Sequence, residues 1–145
     1  MHEKSPALEF ATEIAVTIAE PLVIGEIGGG IREIIPITGG TMRGPLLNGE
    51  VLPGGADWCL TRPDGVSEVW ARYTLRTDDG VLISIVNAGT CRANAHGDFE
   101  GQTAPQFEVA DGPYAFLREA RFVGKLLTDA GGTLARVTLY RVPTL

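Results

Sequence analysis

Six residues of this chain carry side chains that could do chemistry together, and the segments around them are mostly apolar. They are Arg32, Asp57, Trp58, Arg72, Tyr73 and Asn87. A carboxylate can take up or release a proton during a reaction. A guanidinium or an amide can hold an oxygen on which negative charge develops. The set therefore indicates acid–base chemistry on a small molecule, with Asp57, Arg72 and Tyr73 as candidate catalytic residues and Arg32, Trp58 and Asn87 as candidate substrate contacts.

Asp57 and Trp58 also allow a purely structural interpretation. Asp57 follows Gly54-Gly55, where it could cap a turn and pair with an arginine. Trp58 could equally be a core aromatic instead of a surface on which a substrate lies. In the catalytic interpretation the pKa of Asp57 matters, because burial raises the pKa of a carboxyl group whereas a nearby guanidinium lowers it.

Side-chain direction limits which of these residues can act together. Arg72 and Tyr73 are neighbours in a predicted strand, so only one of them can face the interior if that strand is regular. Asn87 shares a strand face with Ile83 and Ile85, which suggests an inward amide at the end of an apolar wall. Tyr114, the last candidate substrate contact, could form a lid over a cavity or simply plug it.

Other candidate sites are weak. His96 lies in a polar loop and is expected to be exposed. Cys59 and Cys91 have no metal-ligand or CxxC spacing and are predicted to be reduced, half-buried strand residues. The Gly28-Gly29-Gly30 run precedes a predicted strand and so lacks the helix N-terminus that a phosphate cradle needs. We therefore expect no metal and no cofactor.

The elements that must position these residues are predicted to be strands. Alternation of apolar and polar residues, β-branched side chains and turn dipeptides predict strands at 8–20, 22–27, 31–37, 42–47, 50–52, 58–61, 67–77, 81–88, 122–127 and 133–142. Residues 91–108 are predicted to form a strand, a polar loop and a second strand near 106–109, and residues 114–119 one helical turn. Between positions 37 and 58 stand six glycines, which permit the bends of a small closed barrel. The fold class is therefore all-β, a single antiparallel β-barrel of about eight or nine strands.

Composition and charge restrict the partners. The 145 residues are expected to form one domain over 1–145, with 44% hydrophobic and 21% charged residues. A formal net charge of −6 disfavours nucleic acid and anionic membrane surfaces. There is no apolar run of membrane-helix length and no signal-peptide pattern, so a cytoplasmic location is expected.

Three phrases of the sequence carry a family resemblance. The runs GIREIIPITGGTMRGPLLNGEVLPGGADW, ARYTLRTDDGVLISIVNAG and TAPQFEVADGPYAFLREARFVG resemble the family catalogued as domain of unknown function 3237, also called uncharacterised protein family 0311. The resemblance covers nearly the whole chain and implies a closed antiparallel barrel similar to allene oxide cyclase. It implies little about chemistry. Before the TAP phrase this chain has Phe99-Glu100-Gly101-Gln102-Thr103 where relatives usually carry a basic residue, so no site is transferred from that segment.

Three functional classes follow. The first is a cofactor-independent acid–base enzyme of the isomerase, cyclase or lyase/hydratase type, acting on a small, largely apolar molecule in the barrel. The second is a non-catalytic small-molecule-binding barrel, and the third is a filled barrel with a purely structural role. The sequence favours the first. A barrel buries only its inner face, so the apolar exteriors of 10–18 or 81–86 also predict a homo-oligomer.

Overall fold

The computed structural model describes residues 7–144, which form ten strands and one 3-10 helix. The elements are β1 (Glu9–Ile18), β2 (Leu22–Glu26), β3 (Ile31–Arg43), β4 (Gly49–Val51), β5 (Ala56–Thr61), β6 (Ser67–Thr77), β7 (Leu82–Ala93), β8 (Phe99–Glu108), the 3-10 helix (Ala115–Arg118), β9 (Arg121–Thr128) and β10 (Leu134–Val142). The predicted all-β class is confirmed. The predicted helical turn near residue 114 is present as the 3-10 helix.

Every strand pairing is antiparallel, and the sheet closes on itself. Neighbours follow the order β1-β10-β9-β8-β7-β6-β4-β3-β2, and β1 pairs with both β10 and β3. Strands β1 and β2 lie end to end along one edge of β3, while β4 and β5 share its other edge. The result is an eight-stranded barrel with two additional strands, as the turn spacing predicted.

The long strand β3 differs from the prediction of separate strands at 31–37 and 42–47. Gly39 and Gly40 have φ of 153° and 148°, so the chain bends sharply there without leaving the sheet. A Cβ on Gly40 would clash with the carbonyl oxygen of Ala15, so glycine is required for this close approach of β1. The bend lets β3 change partners from β2 to β1 and from β5 to β4, and residues 44–46 form a bend after the strand ends.

Strands β7 and β8 are also longer than predicted. Between them the structure leaves only residues 94–98 as a loop, because Gly101, within the segment predicted to be a polar loop, continues the ladder at a close approach to Thr90.

One end of the barrel is filled by apolar side chains. The largest fully buried ones are Ile14, Met42, Leu47, Leu75, Ile83, Ile85, Leu117 and Leu139. Strands β8 and β9 pair only over Phe99–Thr103. Beyond this stretch the two strands separate, and the buried Leu117 of the 3-10 helix fills the space between them. Phe107 and Phe122 meet edge to face nearby, with ring centroids 5.5 Å apart. We call this the closed end. A cavity lies at the opposite end of the barrel. No helix within residues 7–144 is both long and apolar enough to cross a membrane.

Candidate functional site

The open end of the barrel holds a cavity of about 630 Å³. Its mouth is formed by residues 19–21 between β1 and β2 and by residues 129–133 between β9 and β10. Most of the wall is apolar, from side chains such as Val16, Ile35, Val69 and Leu126. A concave, largely apolar space with a few polar groups is the usual form of a small-molecule site.

The polar groups at the base of the cavity sit on three adjacent strands. Asp57 on β5 pairs with Ala71 on β6, and Ala71 pairs with Asn87 on β7, so all three side chains point inward. Two strand spacings separate Asp57 from Asn87, which is about 10 Å. Tyr73 lies two residues beyond Ala71 on the same face and is diagonal to both, at about 7–8 Å. The small side chain of Ala71 leaves space between the three polar groups.

Asp57 is a carboxylic acid poised close to neutral pH. Burial raises its pKa from 3.8 to about 6, and the effect is partly offset by a hydrogen bond and by the charge of Arg32. In that bond the backbone N–H of Trp70 donates to Oδ1 of Asp57 at 3.0 Å. The group is therefore mostly ionised at pH 7, yet it holds a proton far more readily than an exposed aspartate. Such a group can act as a general base.

Tyr73 supplies a buried hydroxyl group with no hydrogen-bond partner among the described residues. Its side chain is only 3% exposed. Burial, and to a smaller extent the charge of Asp57, raises the pKa of the phenol, so the hydroxyl keeps its proton at neutral pH. It is consequently a neutral hydrogen-bond donor.

Asn87 is the second orphaned group. Its Oδ1 is buried without a hydrogen-bond partner among residues 7–144. Buried polar atoms are nearly always satisfied, and each exception needs an explanation. Thr103, the third such residue in the described part, packs against Gly124 away from the cavity. Two of these three groups therefore line the cavity, where they are available to hydrogen-bond a ligand or water.

Comparison with known proteins agrees with this architecture. The model of the family described as protein of unknown function (DUF3237) matches residues 6–142. The chain belongs to this family. The UPF0311 protein RPA1785 of Rhodopseudomonas palustris is 35% identical over 141 residues, covering 87% of this chain and 92% of that protein.

Solved structures share the barrel of this DUF3237 protein. A beta-barrel like protein from Acinetobacter baumannii AYE superposes with a TM-score of 0.88 at 28% identity, covering 99% of this chain and 100% of its own. A structure described as an enzyme from Penicillium herquei has a TM-score of 0.73 at 20% identity, covering 96% and 98% of the two chains. At that identity the second likeness shows the fold alone.

Two of the predicted site residues, Arg72 and Trp58, lie on the outer face of the DUF3237 barrel. Arg72 lies between the inward residues Ala71 and Tyr73, so alternation directs it outward, where it is exposed and 3.8 Å from Glu108. Trp58 follows Asp57 and points outward for the same reason, with its ring centroid 5.7 Å from that of Trp70.

Arg32 also lies on the outer face, and its NH1 donates to the carbonyl oxygen of Trp58 at 2.9 Å. Its charge still acts on Asp57 through the wall, lowering the pKa of that carboxyl group. Arg32 therefore lowers the pKa of Asp57 without contacting a molecule in the cavity.

Tyr114 lies at the closed end and does not approach the cavity. Its hydroxyl donates to Oδ1 of Asp79 at 2.9 Å, in the turn after β6. This hydrogen bond attaches the segment before the 3-10 helix to the barrel. The plug interpretation therefore describes its position, and the lid interpretation does not.

Sequence reasoning missed Glu33 and underestimated the two cysteines. Glu33, Cys59 and Cys91 all line the cavity nearer its mouth. The alternation of Glu33 with Ile35 and Ile37 along β3 was a signal that could have identified it. Burial raises the pKa of each thiol to about 11, so both cysteines are protonated and are not nucleophiles at neutral pH. Within residues 7–144 no group of three or more His, Cys, Asp or Glu side chains could hold a metal ion.

Proposed function

We propose that this protein is a cofactor-independent acid–base enzyme of the isomerase, cyclase or lyase/hydratase type. Its substrate is a small, largely apolar molecule bound in the barrel cavity. The observation that carries the proposal is the shared orientation of Asp57, Tyr73 and Asn87 into one apolar cavity. A base with a raised pKa beside two unsatisfied polar groups is typical of catalytic sites.

Each of the three residues has a distinct role in the proposed reaction. The Asp57 carboxylate accepts a proton from a carbon or oxygen of the substrate, and the electron pair left behind moves to the substrate's conjugated oxygen. The Tyr73 hydroxyl donates a hydrogen bond to that oxygen as its negative charge grows. Asn87 hydrogen-bonds the other end of the polar group of the substrate. Return of the proton from Asp57 to a different carbon completes an isomerisation. If a deprotonated substrate oxygen instead forms a bond to a conjugated carbon of the same molecule, the displaced electron pair moves to the conjugated oxygen and the proton returns to the neighbouring carbon, which completes a ring closure. Neither reaction needs a cofactor.

A non-catalytic binding protein is the second candidate. The same apolar wall and unsatisfied groups would retain a ligand without any turnover. What favours catalysis is the carboxyl group with a pKa of about 6 at the base of the cavity. A protein that only binds gains nothing from burying it, because burying a charged group without a paired cation costs free energy.

Proton exchange into deuterium oxide tests the proposal before the natural substrate is known. A panel of uncharged bicyclic ketones, enones and hydroxyl-bearing enones would be incubated with the protein and followed by proton NMR. We expect deuterium incorporation or a new product above the buffer rate for part of the panel. The rate should rise tenfold per pH unit below about pH 6 and level off above it, as Asp57 loses its proton. Saturable binding with no exchange across the panel would instead support the binding protein.

We also propose that the protein forms a homo-oligomer through β2. Leu22, Val23 and Ile24 are each more than 60% exposed, and β2 pairs only with β3, so its other edge is unpaired in the described chain. An exposed apolar edge strand is a template for pairing with another strand, here that of a second copy.

Sedimentation should show a dimer or larger species that Ile24→Lys converts to a monomer. If Leu82→Lys dissociates the oligomer and Ile24→Lys does not, the interface lies on the 81–86 surface instead of β2. A wild-type protein that is monomeric at high concentration would contradict the proposal.

The free thiols support placing the protein in the cytoplasm. Cys59 and Cys91 are both buried and neither forms a disulfide. Reducing compartments keep thiols in this state.

A further inference from the structure

The charged groups of the cavity all have one sign. Four carboxylate side chains line it, those of Glu20, Glu33, Asp57 and Asp129. Among the described residues no lysine, arginine or histidine lines it. The nearby arginines, Arg32 and Arg72, lie on the outer face. A ligand therefore meets negative charge at the mouth and at the base, with no cation inside to offset it.

This arrangement acts against anionic molecules. Sites for carboxylates and phosphates supply a guanidinium, an ammonium or a helix N-terminus. Here the only helix in residues 7–144 is the four-residue 3-10 helix at the closed end. Two like charges about 8 Å apart at an effective dielectric constant of about 20 repel enough to weaken binding on the order of 30-fold. Glu33 adds to the repulsion from Asp57, since both line the path that a ligand takes inward.

The orphaned groups specify what the ligand must offer instead. The Tyr73 hydroxyl lacks an acceptor and Asn87 Oδ1 lacks a donor. An ammonium group has no acceptor atom and so leaves Tyr73 unsatisfied. A neutral hydroxyl or carbonyl oxygen accepts from Tyr73, and a hydroxyl also donates to Asn87. A hydroxyl group satisfies both atoms and a carbonyl oxygen satisfies Tyr73, whereas a carboxylate offers Asn87 no donor and an ammonium group offers Tyr73 no acceptor.

We infer that the cavity selects uncharged, oxygen-bearing apolar molecules, with Glu33 and Asp57 as the residues that exclude anions. The inference deepens the proposed function, because it names the substrate class of the same site, but it concerns binding and not turnover.

Three naphthalene probes of nearly equal size test this inference by fluorescence titration at pH 7.5. They are 2-naphthol, which is neutral, 2-naphthoate, which is anionic, and 2-naphthylmethylamine, which is cationic. We expect 2-naphthol to bind best and 2-naphthoate to bind at least about 10-fold more weakly. Glu33→Gln combined with Asp57→Asn should reduce the preference for 2-naphthol over 2-naphthoate at least about 10-fold. Glu68→Gln removes one negative charge from the outer face, where Glu68 pairs with Arg62 at 3.6 Å, and should leave this preference unchanged.

Several outcomes would overturn the inference. These are 2-naphthoate binding as tightly as 2-naphthol, discrimination that survives in the double variant, the amine binding most tightly, and failure of 2-naphthol to bind at millimolar concentration. The proposed enzyme fails in a different way. If the protein binds 2-naphthol selectively but exchanges no protons across the ketone panel, the inferred ligand class is supported and the proposed catalytic function is rejected.

Discussion

Asp57→Asn is expected to lose at least about 100-fold in turnover and to gain stability at neutral pH. The loss of rate follows because the amide cannot accept a proton, and a positioned general acid or base typically contributes a factor of 10² to 10⁴. The amide oxygen can still accept the hydrogen bond from the Trp70 N–H, which is 3.0 Å long in the wild type. The variant therefore keeps its local geometry while it loses the proton-transfer group.

The gain in stability follows from the raised pKa of Asp57. In the folded protein the pKa is about 6 against 3.8 for the model group, so the fold favours the protonated acid. The stabilisation associated with that proton is complete below pH 3.8 and is lost as the pH rises through about 6. A shift of this size corresponds to about 3 kcal/mol at most. Asparagine is neutral throughout, so the variant should match the wild type near pH 4 and exceed it by about 1–3 kcal/mol at pH 8.

Urea unfolding at pH 4 and pH 8 measures this difference, with Asp78→Asn as the matched control. Asp78 is exposed at the closed end and forms an ion pair with Arg43 at 3.3 Å, so its substitution should change neither rate nor stability strongly. A catalytic residue that costs stability is a common trade-off between activity and folding. If Asp57→Asn is instead less stable at pH 8 and turns over as fast as the wild type, then Asp57 is a structural residue that holds β5 against β6, and its catalytic role is rejected.

The barrel could be predicted because its signals are local. Alternation along each strand and the short turns at Pro63-Asp64-Gly65 and Asp78-Asp79-Gly80 require antiparallel neighbours, and these follow from the sequence without distant contacts. The orientation of Asn87 was predictable in the same way, since it shares a face with Ile83 and Ile85.

The contents of the cavity were less accessible to sequence reasoning, because they depend on which face each strand turns inward. Alternation excludes Arg72 and Tyr73 from the same face but does not say which one faces the core. That choice depends on the whole ladder, in which Tyr73 is paired with the buried Ile85. The continuous β3 and the position of Tyr114 at the closed end likewise arise from contacts distant in sequence, with Ala15 and Asp79 respectively.

Tyr73→Phe is the second variant for which a large effect is expected. Removing one hydrogen-bond donor from a developing oxyanion typically lowers the rate 10²- to 10³-fold, and the same loss is expected here. Stability should stay the same or rise by about 1 kcal/mol, because a buried hydroxyl without a partner costs free energy that phenylalanine avoids. The rate should fall at every pH, but the pH–rate profile should keep its inflection near pH 6, because Asp57 is still present.

Tyr114→Phe provides the matched control for this variant. It removes an identical hydroxyl, but one that donates to Asp79 at the closed end, so the rate should be unchanged. Turnover by Tyr73→Phe within about twofold of the wild type would mean that the oxyanion is held elsewhere. Asn87→Ala would then test the amide Nδ2 of Asn87 as the donor, because this side chain faces the same space beside Ala71. An unaffected rate in both variants would remove electrostatic stabilisation from the proposed mechanism and leave Asp57 as the only acting group.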